Sequence, residues 1–175
     1  GVLLDALAEL PTERPLRIRF VGHGGEWDQL RERARQLAPH LIEFTPALPA
    51  REAAQVLGDA RVALSTLRPG IGYDFAIPTK SYSALSVGTP VLYAGPGALR
   101  DTLPQNDLGH GVPYDASAIA EALSLATSQP VSAERRRRIA NWARRHLSAQ
   151  AAAERAAAVV RAAVADRRGG RIESA

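Results

Sequence analysis

The sequence predicts an α/β domain: a parallel sheet covered by helices on both faces, followed by Arg/Ala-rich carboxy-terminal helices. Three observations predict it. Short apolar runs alternate with helix-length amphipathic runs between residues 16 and 130, which is the pattern of βαβ units. The loops after those runs carry Gly and Pro (Gly22, Gly24, Gly25; Pro46, Pro49; Pro69, Gly70, Gly72; Gly95, Pro96, Gly97), and in such sheets ligands bind beyond the carboxyl ends of the strands. From Ser132 onward Ala and Arg dominate.

Each element has a local reason. Val2, Leu3, Ala6, Leu7 and Leu10 form a helical stripe over 2–10, ended by Pro11. Residues 16–21 alternate and then run apolar, as a strand does, and lead through Gly22-His23-Gly24-Gly25 into a helix over 26–38. A short strand at 41–44, a Pro-punctuated loop at 45–50 and a brief helix at 51–57 follow, with Gly58-Asp59 as its turn. Residues 62–65 read as a strand and 66–77 as a long loop. Pro78 opens the next helix at its first position and Gly88 closes it. Thr89-Pro90 then turns into a strand at 91–93. A Gly-Pro-Gly turn, a helix over 98–103 and a weak strand near 111–114 come next. Asp115 or Ser117 caps a helix ending before Pro130, 133–147 and 149–165 form two helices broken near Ser148, and 166–175 is a frayed tail.

At 175 residues the chain is one domain's worth, and no apolar run reaches the roughly 18 residues needed to span a bilayer. Residues 1–10 read as an amphipathic helix and not as a basic signal leader. There is no cysteine, which excludes disulfides and thiolate ligands or nucleophiles and fits a cytoplasmic protein. His23, His40, His110 and His146 show no metal-ligand spacing, so no metal site is expected. The net charge of +4 comes largely from arginines after residue 130, which argues against a nucleic-acid footprint over the whole domain.

The chemistry centres on Lys80. A cation in the first turn of a helix opposes the positive end of the macrodipole, so a negative group nearby would make it tolerable. A diphosphate meets that need, because a helix amino terminus offers free N–H groups and Thr79, Ser81 and Ser83 add hydroxyls. The alternative is a solvated lysine on an ordinary surface helix. Gly22-x-Gly24-Gly25 is half of a dinucleotide fingerprint, but Trp27 stands where its third glycine belongs and Glu43 sits inside a strand. It reads equally as a tight strand-to-helix turn. In the long loop, Arg68 could pair with phosphate and Asp74 could accept from sugar hydroxyls, with solvated loop charges as the alternative. Ile139, Trp142, Ala143 and Leu147 make a narrow apolar stripe that leaves Arg135 to Arg138 and Arg144-Arg145 largely outside it. That basic face is either solvated or a peripheral contact to an anionic membrane.

Taken together, Phe20-Val21-Gly22-His23-Gly24-Gly25-Glu26, Ile42-Glu43-Phe44-Thr45-Pro46-Ala47-Leu48, Asp59-Ala60-Arg61-Val62-Ala63-Leu64-Ser65, Pro78-Thr79-Lys80-Ser81-Tyr82 and Gly88-Thr89-Pro90-Val91-Leu92 resemble the carboxy-terminal, donor-binding domain of GT-B glycosyltransferases of the retaining, group 1 type. The resemblance covers roughly residues 1–165 and implies a Rossmann-like doubly wound sheet. It implies that a nucleotide diphosphate sugar is the donor substrate and that no metal or other cofactor is needed. An acceptor domain would lie upstream in the full chain. By resemblance Thr45, Ala47 and Leu48 meet the base, and Thr79, Lys80, Ser81 and Tyr82 hold the diphosphate; the turn of Gly22, Gly24 and Gly25 is, from its residues, one that can come close to a bound group. Tyr73 and Phe75 would lie near the sugar, and Ser83 near the ribose. Lys80, Arg68 and Asp74 are the candidate catalytic residues.

The chain departs from that family in three ways. Many members carry two glutamates where Phe75 and Ser83 stand here. The family's first strand should precede residue 1, and without it a slot is expected between the strands at 16–21 and 62–65. The acceptor domain is not within these residues. The expected organisation is a nucleotide-sugar-binding domain over 1–130 and carboxy-terminal helices with a tail over 131–175. Two rival readings remain: a non-catalytic nucleotide-sugar-binding or interaction domain, and a dinucleotide-binding oxidoreductase domain.

Overall fold

The computed structural model describes residues 1–11, 13, 15–37 and 40–169. In chain order the elements are α1 (Val2–Ala8), β1 (Arg17–Val21), α2 (Trp27–Arg35), β2 (Leu41–Thr45), α3 (Ala50–Asp59), β3 (Ala63–Thr66), α4 (Thr79–Ser86), β4 (Val91–Ala94), α5 (Leu99–Gln105), β5 (Gly109–Val112), α6 (Ala116–Thr127), α7 (Ala133–Leu147) and α8 (Ala149–Gly169). Every strand pairing is parallel. The fold is the mixed α/β one that the alternation predicts, and it is Rossmann-like as the resemblance implies.

The core is built around β4, whose four residues are all buried. Leu92 and Ala94 pack with Leu4 and Leu7 of α1 and Ile119 and Leu123 of α6. Val91 and Tyr93 face the other way, against Leu85 of α4, Leu103 of α5 and Ile139 of α7. A strand covered on both faces loses the polar alternation of a half-exposed one, which is why Val91-Leu92-Tyr93-Ala94 reads as a continuous apolar run.

The strands form two sheets, β1-β2 and β3-β4-β5. In a parallel pair the N–H groups alternate sides. Gly22 N–H bonds Thr45 O, and Ala63 N–H bonds Pro90 O. The amides of Arg19 and Val21 therefore face the other edge of β1, and those of Leu64 and Thr66 the other edge of β3. Among the described residues no strand pairs with either of those edges. The interruption falls between the two strands that the resemblance separates by one more strand.

The structure corrects several local expectations. The turn expected at Gly58-Asp59 is the last turn of α3, because tertiary bonds satisfy its terminal carbonyls. Thr89 Oγ1 donates to Leu57 O at 2.6 Å and the Arg136 guanidinium to Ala60 O at 2.8 Å. Pro78 is the cap of α4, with ψ 125°, and not its first residue. Gly88 closes that helix at φ +82°. Helix α5 runs through Pro104 to Gln105, and β5 begins at Gly109, two residues before the expected strand. The cap of α6 is Asp115, whose carboxylate accepts from Ala118 N–H at 2.9 Å. The expected frayed tail begins as helix, since α8 reaches Gly169; residues 170–175, and residue 38 at the end of the expected second helix, lie outside the described residues.

Candidate functional site

Helix α4 begins at the carboxyl side of β3 with Pro78 as a cap that makes no side-chain hydrogen bond. Ser81 N–H donates to Pro78 O at 2.9 Å, so the N–H groups of Thr79 and Lys80 precede the first intrahelical bond and are free to meet a ligand. Both side chains are solvent-accessible. Even so, the surroundings desolvate the Lys80 ammonium enough to lower its pKa from the ordinary lysine value. A helix amino terminus with a cation against it, no acid in the first turn and an uncapped start has the chemistry to receive an anion.

The loop after β3 is held in place by its own acid. Asp74 accepts from Gly70 N–H at 2.9 and 3.3 Å, and an added Cβ at Gly97 would lie 2.5 Å from Asp74 O. The loops after β3 and β4 therefore touch. Burial first, and then the Asp74 carboxylate, raise the pKa of Tyr93, whose hydroxyl donates to Pro96 O at 2.8 Å. Arg68 is exposed, and no ion pair ties it among the described residues. Tyr73 is 60% exposed and Phe75 84% exposed, so the loop that leads into α4 carries two aromatic rings with little protein around them.

Of the hydroxyls expected on the phosphate, Ser81 is turned away. It is 1% exposed and donates to Ser65 Oγ at 3.0 Å, a buried pair that locks α4 onto β3. The position is the third of the helix, one hundred degrees on from Lys80, and so points into the core. Ser83 stays exposed and donates to Thr79 O at 3.3 Å. Tyr82 is half-buried and, with Ser83 and Ser86, lines a 450 Å³ cleft against Ala143, Arg144 and Leu147 of α7. Sequence reasoning missed that cleft, because nothing in the local pattern says that α7 returns to pack on α4.

A second group of expected residues lies at the carboxyl ends of β1 and β2. Gly22 and Thr45 are tied by the hydrogen bond already described, and Trp27 N–H donates to Gly24 O at 3.1 Å. An added Cβ at Gly24 or Gly25 would meet nothing within 4 Å, so the turn is open on its outer side. Ala47 is exposed and Leu48 half-buried in the loop after β2. The structure thus draws the predicted site residues into two groups, one on each sheet. Of the four histidines, His23 is exposed in the turn after β1. His110 is inside β5, paired with Leu92, and its pKa is lowered by burial and then by Arg135.

The basic run of α7 is less solvated than its charge suggests. Arg136 reaches Ala60 O and, at 3.2 Å, Thr89 Oγ1. Arg135 and Arg138 pair with Asp107 at 3.0 and 2.9 Å. Arg137, Arg144 and Arg145 are exposed. Among the described residues no cluster of His, Cys, Asp and Glu is placed to hold a metal ion, and no helix is long and apolar enough to cross a membrane.

Comparison with known proteins adds two findings. The model of the glycosyl transferase-like family matches residues 2–161. Phosphatidyl-myo-inositol mannosyltransferases from two strains of Mycobacterium tuberculosis and from Mycobacterium bovis are each 31% identical over 141 residues, which is 77% of this chain and 36% of theirs. The chain therefore spans a little over a third of the length of the curated relatives it matches.

Proposed function

Because the chain belongs to the group 1 GT-B glycosyltransferases, we propose that it is their donor-binding half, holding a nucleotide diphosphate sugar whose sugar passes to an acceptor bound elsewhere in a longer protein. The desolvated Lys80 in the uncapped first turn of α4 carries this reading. Thr79, the amides of the first turn and Arg68 would share the diphosphate with it, and their positive potential would stabilise the leaving group as the glycosidic bond breaks. No metal is required by that division of labour. The relatives' name points to a hexose, mannose, as the transferred sugar and to a phospholipid as the acceptor.

Calorimetric titration with UDP, GDP, ADP and NAD tests the proposal and names the base. One nucleoside diphosphate is expected to bind saturably, and NAD is not. The pH dependence follows from the lysine. Its lowered pKa means that the ammonium begins to deprotonate at lower pH than free lysine does, and the bound diphosphate draws the pKa back up. Binding should therefore take up a proton in alkaline buffer between the lowered and the ordinary lysine pKa, and affinity should fall as pH rises through that window. Affinity flat across it would remove Lys80 from the site. Tight NAD binding would favour the oxidoreductase reading instead.

A non-catalytic, donor-binding role has one observation in its favour. The two positions that carry glutamate in many members hold an exposed Phe75 and a Ser83 bonded to its own helix. Turnover of a nucleotide sugar by the longer protein would exclude that role.

A phospholipid acceptor would also give the basic helix a partner. We expect Arg137, Arg144 and Arg145 to draw the protein to anionic lipid, each contributing about 1 kcal/mol near the surface. Their joint replacement by Gln should lower partition onto phosphatidylglycerol vesicles, and unchanged partition would remove the membrane contact. Arg135, Arg136 and Arg138 are unsuited to the test, because replacing them breaks the bonds that tie α7 to Asp107, Thr89 and Ala60.

A further inference from the structure

Trp27 is the residue that spoils the dinucleotide fingerprint, and the structure shows what stands in the glycine's place. The indole is the first residue of α2, half-buried at the carboxyl end of β1. On its inner side it meets Phe44 at right angles, with centroids 5.1 Å apart, and Phe44 is itself stacked on Phe20 at 4.9 Å. The exposed His23 ring stands 6.1 Å away, tilted by 49°. Phe20 and Phe44 are partly buried and pack against the core, so the indole rests on packed rings while part of it faces solvent. No hydrogen bond holds its N–H among the described residues. The glycine turn beside it is open outward.

A planar, half-exposed aromatic fixed beside an open backbone turn is a surface on which a nucleobase stacks. We propose that Trp27, with His23 beside it, is the stacking platform for the base of the nucleoside diphosphate; the inference rests on the donor-site reading above and assigns a residue to it. Stacking accepts any base, so Trp27 supplies affinity, and the choice among bases falls to polar groups at the carboxyl end of β2 such as Thr45.

The chain has two tryptophans, and the other, Trp142, is on α7, bonded to Asn106 and stacked on His146. In a Trp142→Phe background the emission therefore reports Trp27 alone. UDP, GDP or ADP, whichever calorimetry shows to bind, should change that emission with the calorimetric midpoint, whereas inorganic pyrophosphate, which has no base, should bind without changing it. Trp27→Ala should weaken the nucleoside diphosphate roughly fivefold to a hundredfold and leave pyrophosphate affinity as it was. Nucleoside diphosphate binding with unaltered Trp27 emission overturns the platform and leaves the donor site standing. So does an equal loss of both ligands in Trp27→Ala. Absence of binding by any of the three nucleotides overturns the donor site itself, and the platform with it.

Discussion

Replacing Lys80 by alanine should weaken nucleoside diphosphate binding by about 1.5–3 kcal/mol, the range for losing a hydrogen bond to a charged partner. In an assay of sugar transfer the loss should be larger, roughly 10²–10³ in kcat, because charge on the diphosphate is greatest as the bond to the sugar breaks. The fold should not suffer. Lys80 is solvent-accessible, and its pKa is lowered by desolvation alone, so without ligand the charged lysine opposes folding at neutral pH. That cost fades as pH rises through the lowered pKa. Lys80→Ala should therefore match or slightly exceed the parent in thermal stability while binding poorly. Unchanged diphosphate affinity would sink the assignment. Lys80→Arg separates charge from shape: partial recovery of affinity would show that a cation suffices, whereas none would show that the compact ammonium is required.

A large effect on stability is expected at Gly111. Pro104 has no N–H to give to the carbonyl of Arg100, four residues earlier in α5. That carbonyl instead lies against the backbone of β5, where an added Cβ at Gly111 would stand 1.8 Å from it. The contact is backbone to backbone, so no side chain can swing away. Gly111→Ala should cost more than about 3 kcal/mol, beyond the usual range of overpacking, and urea denaturation would show it. Gly58→Ala is the control. It lies inside α3 with open space around it, and removing a flexible residue from a helix should stabilise by roughly 0.5–1 kcal/mol. Equal midpoints for the two variants would mean that α5 and β5 are not so closely packed.

Pro104 and Gly111 also show why part of the fold was hard to read. Gly109 and Gly111 depress the strand propensity of 109–112, and Pro104 looks like the end of a helix. Each is explained by the other once α5 lies on β5, but their separation in sequence hides the pairing. The candidate site divides in the same way. Lys80 and Thr79 could be singled out because a cation in the first turn of a helix is a local anomaly. Ser81 looked equivalent, since a hydroxyl in the same turn has the same chemistry, and only its rotation toward Ser65 removes it. Arg136 likewise looked like its solvated neighbours, although it holds the end of α3.

The order and type of the elements, the parallel α/β class and the position of Lys80 were legible in the sequence, because these depend on periodicity, capping and turn residues within a few positions of one another. Packing between distant segments decided that the strands form two sheets, with one edge of β1 and of β3 unpaired among the described residues, that Ser81 faces the core and that Asp74 shapes its loop. It also decided that Trp27 stands on the packed rings of Phe44 and Phe20. Those outcomes depend on which surfaces meet across long stretches of chain, and the local pattern does not encode that choice.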